Sequence, residues 1–149
     1  MEIWCPQYTL GGMRIARSFR RTAAVVAALA LLVSVPASAV SKPVFKTVDA
    51  ATFLQIAKQK NVIVIDVRRP DEFASGHIAR AINLDYEAGV LAARFPKLKK
   101  TATYAIYCHS GRRSGLALAA MQAAGFTRVY NLDGGVIAWA NAGYPFSLK

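Results

Sequence analysis

The sequence predicts an α/β fold: a doubly wound, five-stranded parallel sheet with helices on both faces. Three observations carry that expectation. Short strand-like runs alternate with helix-like stretches from residue 44 onward, and such alternation builds a parallel sheet covered on both sides. One run, Val62-Ile63-Val64-Ile65, is continuously β-branched with no polar face, which suits a strand buried on both sides. Capping residues and glycines punctuate the chain where strand gives way to helix.

The elements follow in order. Val44-Phe45-Lys46-Thr47-Val48 reads as the first strand, and Asp49 caps a helix running to about Lys58. After the β-branched run, Arg69-Pro70-Asp71-Glu72-Phe73 opens a short helix with proline near its first turn. Ala81-Ile82-Asn83-Leu84 is the third strand, followed by a helix across Glu87 to Arg94. Thr103 to Tyr107 is the fourth strand and ends directly at Cys108. Ser114 to Ala124 is helical, with Gly125 as its stop. Arg128 to Asn131 gives the fifth strand, and the Gly134-Gly135 turn leads into a last helix from Val136 to Asn141. Ligands of parallel sheets bind at the carboxyl ends of strands, which is where Cys108 falls.

The first forty residues are a different material. Arg14, Arg17, Arg20 and Arg21 precede the apolar run Ala23 to Val35, and Pro36-Ala37-Ser38-Ala39 follows. A basic region, a short apolar region and an A-x-A site describe a secretory signal peptide. The apolar run stops short of the roughly 20 residues a spanning helix needs. Residues 1–39 are therefore expected to be a leader, with Met13 a more natural start than Met1. The Arg20-Arg21 pair raises twin-arginine export, but Thr22-Ala23-Ala24 follows it and favours the general secretory route. Cleavage after Ala39 would leave a periplasmic chain with a short linker at 40–43 and one domain over 44–149. No stable membrane insertion is expected after cleavage.

Charge narrows the partners. The chain has 149 residues, with 19 Lys and Arg against 8 Asp and Glu, a formal net charge of +11. Nucleic acid, anionic membranes and small anions all suit such a balance. No RNA-binding aromatic motif, zinc-finger spacing or long basic helix accompanies the charges, so nucleic acid is not expected. Small anions remain.

Export changes what the cysteines mean. Removing the leader removes Cys5 and leaves Cys108 alone. It cannot form an internal disulfide, and a lone thiol in an oxidising compartment is a liability unless it has a use. One Cys with His77 and His109 cannot supply the closed four-ligand set of structural zinc. No metal or organic cofactor is expected. A free cysteine is often only a small buried hydrophobe, but the stretch that follows argues for a reactive one. Tyr107-Cys108-His109-Ser110-Gly111-Arg112-Arg113-Ser114 lies between a strand and a helix. Backbone N–H groups at a helix start carry partial positive charge, and an inward-curling loop adds an anion-binding nest. Gly111 lets the backbone turn, and Arg112 and Arg113 bias the sulfur toward thiolate and can bind an oxyanion.

This loop resembles the active-site loop of rhodanese-type sulfurtransferases. Three further stretches are similar to the family pattern: Val64 to Arg68, Glu72 to Asn83, and Leu132 to Trp139. Together they cover about residues 44 to 146. The resemblance implies that Cys108 takes a sulfane sulfur from a donor such as thiosulfate, forming a persulfide. The sulfur then passes to cyanide or a thiol. By the same resemblance the N–H groups from His109, Ser110 and Gly111 through Ser114 hold the outer sulfur. Arg112, Arg113 and Arg68 are expected to meet the donor anion. One departure bears on the donor: some thiosulfate-preferring relatives place basic residues directly after the cysteine, where this loop has His109 and Ser110.

Bland roles stand beside these. Asp66 and Arg68 point the same way from the strand end and either pair with each other or hold loop backbone. His77 is expected to tie down a turn, Trp139 to fill core, and His109 either edges the pocket or has no role. Two rival classes keep a loop cysteine. A dual-specificity type phosphatase needs an arginine six positions after it to clamp phosphate, and position 114 is serine. A non-enzymatic persulfide carrier or partner-binding module would keep Cys108 and differ only in lacking turnover with small donors.

Overall fold

The computed structural model describes residues 42–148; the expected leader, Met13 and Cys5 lie outside them. Five strands form one parallel sheet: β1 (Val44–Val48), β2 (Val62–Asp66), β3 (Ile82–Asn83), β4 (Thr103–Tyr107) and β5 (Arg128–Leu132). Their spatial order is β1-β5-β4-β2-β3. The helices are α1 (Ala50–Ala57), α2 (Pro70–Ala74), α3 (Val90–Arg94), α4 (Arg112–Ala123) and α5 (Gly135–Asn141).

The pleat divides each strand between two cores, because successive side chains point to opposite faces. Ala105 and Tyr107 of β4 pack with Phe53 of α1 and with Val136 and Trp139 of α5. Tyr104 and Ile106 pack on the other side with Leu91 of α3 and with Ala117 and Met121 of α4. Helices therefore cover both faces, as the β-branched β2 predicts. Phe53 is fully buried and meets Tyr107 and Trp139 edge-on at 6.2 and 6.3 Å. Burial of such a ring contributes about 1.5–3 kcal/mol. Trp139 is core, as expected, and its indole N–H donates to the Pro145 carbonyl at 3.1 Å.

Local chemistry sets the boundaries. Asp49 accepts from the Thr52 N–H at 2.8 Å and caps α1 as its position implies. The helix expected across Glu87 to Arg94 is shorter. Asp85 Oδ1 accepts from the N–H groups of Glu87 and Ala88 at 2.8 and 3.2 Å, which makes a side-chain turn there and delays α3 to Val90. Conversely α4 starts at Arg112, two residues earlier than expected, because Gly111 takes a left-handed φ of 88° and serves as its N-cap. This shift places the loop's arginines in the first turn of α4. The carboxyl ends of β2, β4 and β5 lie side by side, and the chain leaving each contributes to one site.

Candidate active site

Cys108 follows β4 directly and is 1% exposed. Its inner side belongs to the same apolar cluster as Ile106 and Ala117. The sulfur's other neighbours are polar. Gly111 N–H donates to Sγ at 3.2 Å, and the Ser114 hydroxyl lies 3.4 Å from it. That hydroxyl also lies 3.2 Å from the Gly111 carbonyl, so its single proton is shared between two acceptors. Burial alone would push the thiol up. Hydrogen bonds from the Ser114 hydroxyl and from the backbone at Ser114, Ser110 and Gly111 outweigh it and hold the thiol below its ordinary value. This distinguishes Cys108 from a cysteine used only for packing.

The start of α5 aims those N–H groups. Val136 N–H donates to the Cys108 carbonyl at 2.9 Å, and Ile137 N–H to the His109 carbonyl at 3.2 Å. In a trans peptide the C=O and the next N–H point in opposite directions. Tying both carbonyls to α5 therefore turns the following N–H groups away from it, and the Ser110 N–H toward sulfur. The contact is close: a Cβ on Gly135 would sit 2.3 Å from the Cys108 carbonyl oxygen. Glycine at 135 is required by that approach.

The three expected arginines have three different fates. Arg112 is exposed, and no hydrogen bond or ion pair holds it among the described residues. Arg113 is instead paired through both terminal nitrogens. Its Nη1 and Nη2 meet Glu72 Oε2 and Oε1 at 2.7 and 2.8 Å, and Nη1 also reaches Glu87 at 3.3 Å. This bidentate pairing fastens α4 to α2, and the Arg113 charge also acts on the Cys108 sulfur. Arg68 is 4% exposed. Its Nε and Nη2 bind Asp66, the latter at 2.6 Å, and Nη2 also donates to the Gly76 carbonyl at 2.7 Å. Both roles left open for this pair are filled: Asp66 and Arg68 bind each other, and Arg68 also holds loop backbone at Gly76.

Glu72 was not among the expected site residues, although it sits in the first turn of α2 within a stretch that carries the resemblance. Hydrogen bonding to Arg113 holds its carboxyl at about 2, well below the ordinary 4.5. A depressed carboxyl stabilises the fold above its unfolded value, and that contribution fades as pH falls from about 4.5 toward 2. Glu72→Gln is thus expected to cost about 1 kcal/mol at pH 7, solvent keeping the figure modest. Urea unfolding at several pH values should show the gap to the parent closing in acid. An equal gap at all pH values would leave Glu72 without this role.

A cleft of about 300 Å³ opens beside the loop, walled by Arg68, Glu72, Ser75, His109, Val136 and Phe146. His109 and Ser110 are exposed. His77 lies apart from the sulfur chemistry: it is buried, stacks on Phe73 at 3.8 Å, and exchanges two backbone hydrogen bonds with Ser147 at 3.0 and 2.7 Å. It ties down a turn, as expected. Among the described residues no cluster of three or more His, Cys, Asp or Glu is placed to hold a metal ion.

Comparison with known proteins agrees with this geometry. Residues 49–142 match the rhodanese-like domain. The chain is 37% identical over 99 residues to a sulfurtransferase of Allochromatium vinosum, covering 66% of this chain and 91% of that one. It is 35% identical over 101 residues to the thiosulfate sulfurtransferase GlpE of Pseudomonas putida, covering 68% and 89%. A rhodanese-related protein of Thermoplasma volcanium superposes with a TM-score of 0.62 at 30% identity, covering 70% of this chain and 100% of that one. With the domain match spanning every element from α1 to α5, and relatives named for moving sulfur, the chain belongs to the rhodanese-like family.

Proposed function

We propose that the protein is a thiosulfate-type sulfurtransferase that works through a persulfide on Cys108. The observation that carries this is the sulfur itself, a buried thiol held toward ionisation by Ser114 and by the loop N–H groups. The thiolate attacks the outer, sulfane sulfur of thiosulfate. A bond forms from Sγ to that sulfur, the sulfur–sulfur bond of the donor breaks, and sulfite leaves with the electron pair. Cyanide or a thiolate then attacks the outer sulfur, carries it off as thiocyanate or a new persulfide, and returns the Cys108 thiolate. Each half is one displacement, and neither needs an added oxidant or reductant. Loop N–H groups suit the terminal sulfur, which carries the negative charge between the halves. The mature protein should gain the mass of one sulfur atom on incubation with thiosulfate and lose it on adding cyanide. No mass gain from thiosulfate, thiosulfonates or polysulfides would overturn the reading.

Arg112, exposed in the first turn of α4, is the cation assigned here to the donor anion. Charge-assisted hydrogen bonds contribute about 1.5–3 kcal/mol, and an exposed arginine falls at the lower end. Arg112→Ala should raise the KM for thiosulfate about tenfold, with a smaller effect for an uncharged sulfur donor. Equal loss for both donors would remove Arg112 from anion binding. Export is part of the same proposal, supported by the order of basic, apolar and A-x-A segments. Amino-terminal sequencing of periplasmic protein should read Val-Ser-Lys. A full-length chain in the cytoplasm would overturn it.

A further inference from the structure

We infer that the amino-terminal edge of the sheet, opposite Cys108, is a docking face for a bilayer surface rich in anionic lipid headgroups. All five strands are parallel, so all are entered at one edge and left at the other. Every entry carries a cation. In spatial order these are Lys42 before β1, Arg128 opening β5, Lys99 before β4, Lys58 and Lys60 before β2, and Arg80 before β3. The acids are sorted the other way. Asp49, Asp133, Asp66 and Asp85 lie at the exits of β1, β5, β2 and β3. The remaining acids among the described residues, Asp71, Glu72 and Glu87, lie in the chain leaving β2 and β3. Neighbouring strands lie about 4.8 Å apart, so the basic row is about 19 Å long.

The row is fixed before any partner arrives. Val44 N–H donates to the Thr127 carbonyl at 2.7 Å and Thr127 N–H to the Lys100 carbonyl at 3.0 Å, which ties the entries of β1, β5 and β4. Arg80 ties β3 to β2. Its Nη1 donates to the Ala57 carbonyl at 3.2 Å and lies 3.5 and 3.4 Å from those of Lys58 and Gln59. It does so from φ 68°, the only positive φ outside glycine among the described residues, and such a conformation persists where its surroundings hold it. A cation at a helix end often serves only to offset the backbone dipole. Arg80 does this at the end of α1, and Lys100, which donates to the Ala124 carbonyl, does it at the end of α4. Lys42, Lys58, Lys60 and Lys99 have no such duty. All four are exposed, and among the described residues no hydrogen bond or ion pair holds their side chains.

A lipid surface is the partner this row fits. It offers diffuse negative charge and needs no matched pocket, so flexible lysines spread along a line suffice, each strengthening binding about fivefold. A protein that accepts sulfur has to reach Cys108. Five residues at about 3.3 Å each put the row about 17 Å from it, so such an acceptor covers the other edge. The expected leader also joins the domain at Lys42, the β1 end of the row, so during export the basic edge is the one next to the bilayer. The row stands without that export reading, which adds only a direction. Contact is at the headgroups, since no helix among the described residues is long and apolar enough to cross a membrane. Cys108 then faces the solution.

The test is co-sedimentation of the mature protein with vesicles of equal parts phosphatidylglycerol and phosphatidylcholine, against vesicles of phosphatidylcholine alone. The parent should sediment with the first and not with the second, and added salt should release it. The double variant Lys58→Gln, Lys60→Gln should bind about twentyfold more weakly, the product of the two lost charges. Arg69→Gln, which removes an exposed cation from the carboxyl edge, should change binding by less than about twofold. Circular dichroism checks that both variants fold. Cys108 should react with iodoacetamide at the same rate on the vesicle as in solution. Equal sedimentation with neutral vesicles, equal weakening by both variants, or protection of Cys108 on the vesicle would overturn the inference. So would failure to bind anionic vesicles, and binding to polyglutamate in their place would assign the row to an acidic protein instead.

Discussion

Cys108→Ser should lower thiocyanate formation from thiosulfate by at least about a thousandfold, because the variant has no sulfur with which to hold the transferred atom. A serine hydroxyl ionises far less readily than a thiol. The same donors that favour a thiolate, the Gly111 N–H and the Ser114 hydroxyl, cannot close that gap. The fold should survive. The substitution changes one atom in a site where polar groups already face the side chain, and a loss of about 1 kcal/mol is the ordinary cost of such a change. Thermal melts and turnover measured on one preparation separate the two effects. Turnover comparable to the parent in a folded variant would show that Cys108 is not the nucleophile.

Gly135→Ala should do nearly as much harm from outside the loop. The added Cβ would lie 2.3 Å from the Cys108 carbonyl oxygen and 2.6 Å from the His109 carbonyl carbon and oxygen. All three are backbone atoms, so no flexible side chain can swing away. Position 135 also has φ 58°, which L side chains resist. Either α5 retreats or the loop does, and both break the hydrogen bonds from Val136 and Ile137 that aim the loop. Stability should fall by about 2–4 kcal/mol, the sum of backbone strain and overpacking. Activity should fall about a hundredfold or more, and the pH midpoint of Cys108 alkylation should move up toward a free thiol's, about 8.5. Gly125→Ala is the control, since Gly125 has φ 83° but nothing within 4 Å of its Cβ. It carries the strain without the collision. If both variants behave alike, α5 does not set the loop.

That contrast also marks what a single sequence can disclose. The five strands and Cys108's place after β4 were legible because each depends on neighbours in the chain: a β-branched run, a cap, a glycine stop. Even the boundary errors have local causes, the Asp85 side-chain turn that shortens α3 and the left-handed Gly111 that starts α4 early. The duties of the arginines were not legible. Arg112 and Arg113 are adjacent and chemically identical, and what separates them is Glu72, 41 residues away, and Glu87, 26 residues away. Gly135 read as an ordinary turn because the carbonyls it clears belong to a different loop. Phe146 gave no signal at all, its position fixed by a pairing between Ser147 and His77 that no motif encodes.

The strand order has a consequence for how the chain is made. β1, at one edge of the sheet, pairs with β5, so Thr47 meets Asn131, 84 residues later. Ribosomes add about 5–20 residues per second, so β1 waits roughly 4 to 17 seconds for its partner to be synthesised. Throughout that interval its hydrogen-bonding groups are open on both sides, and distant parallel pairing is intrinsically slow once the partner appears. The cradle forms later still, because α5 follows β5 and anchors the loop. The thiol therefore spends the vulnerable period of biogenesis as an ordinary cysteine. Its enhanced reactivity arrives with the last helix, when the surrounding protein is already in place to contain it.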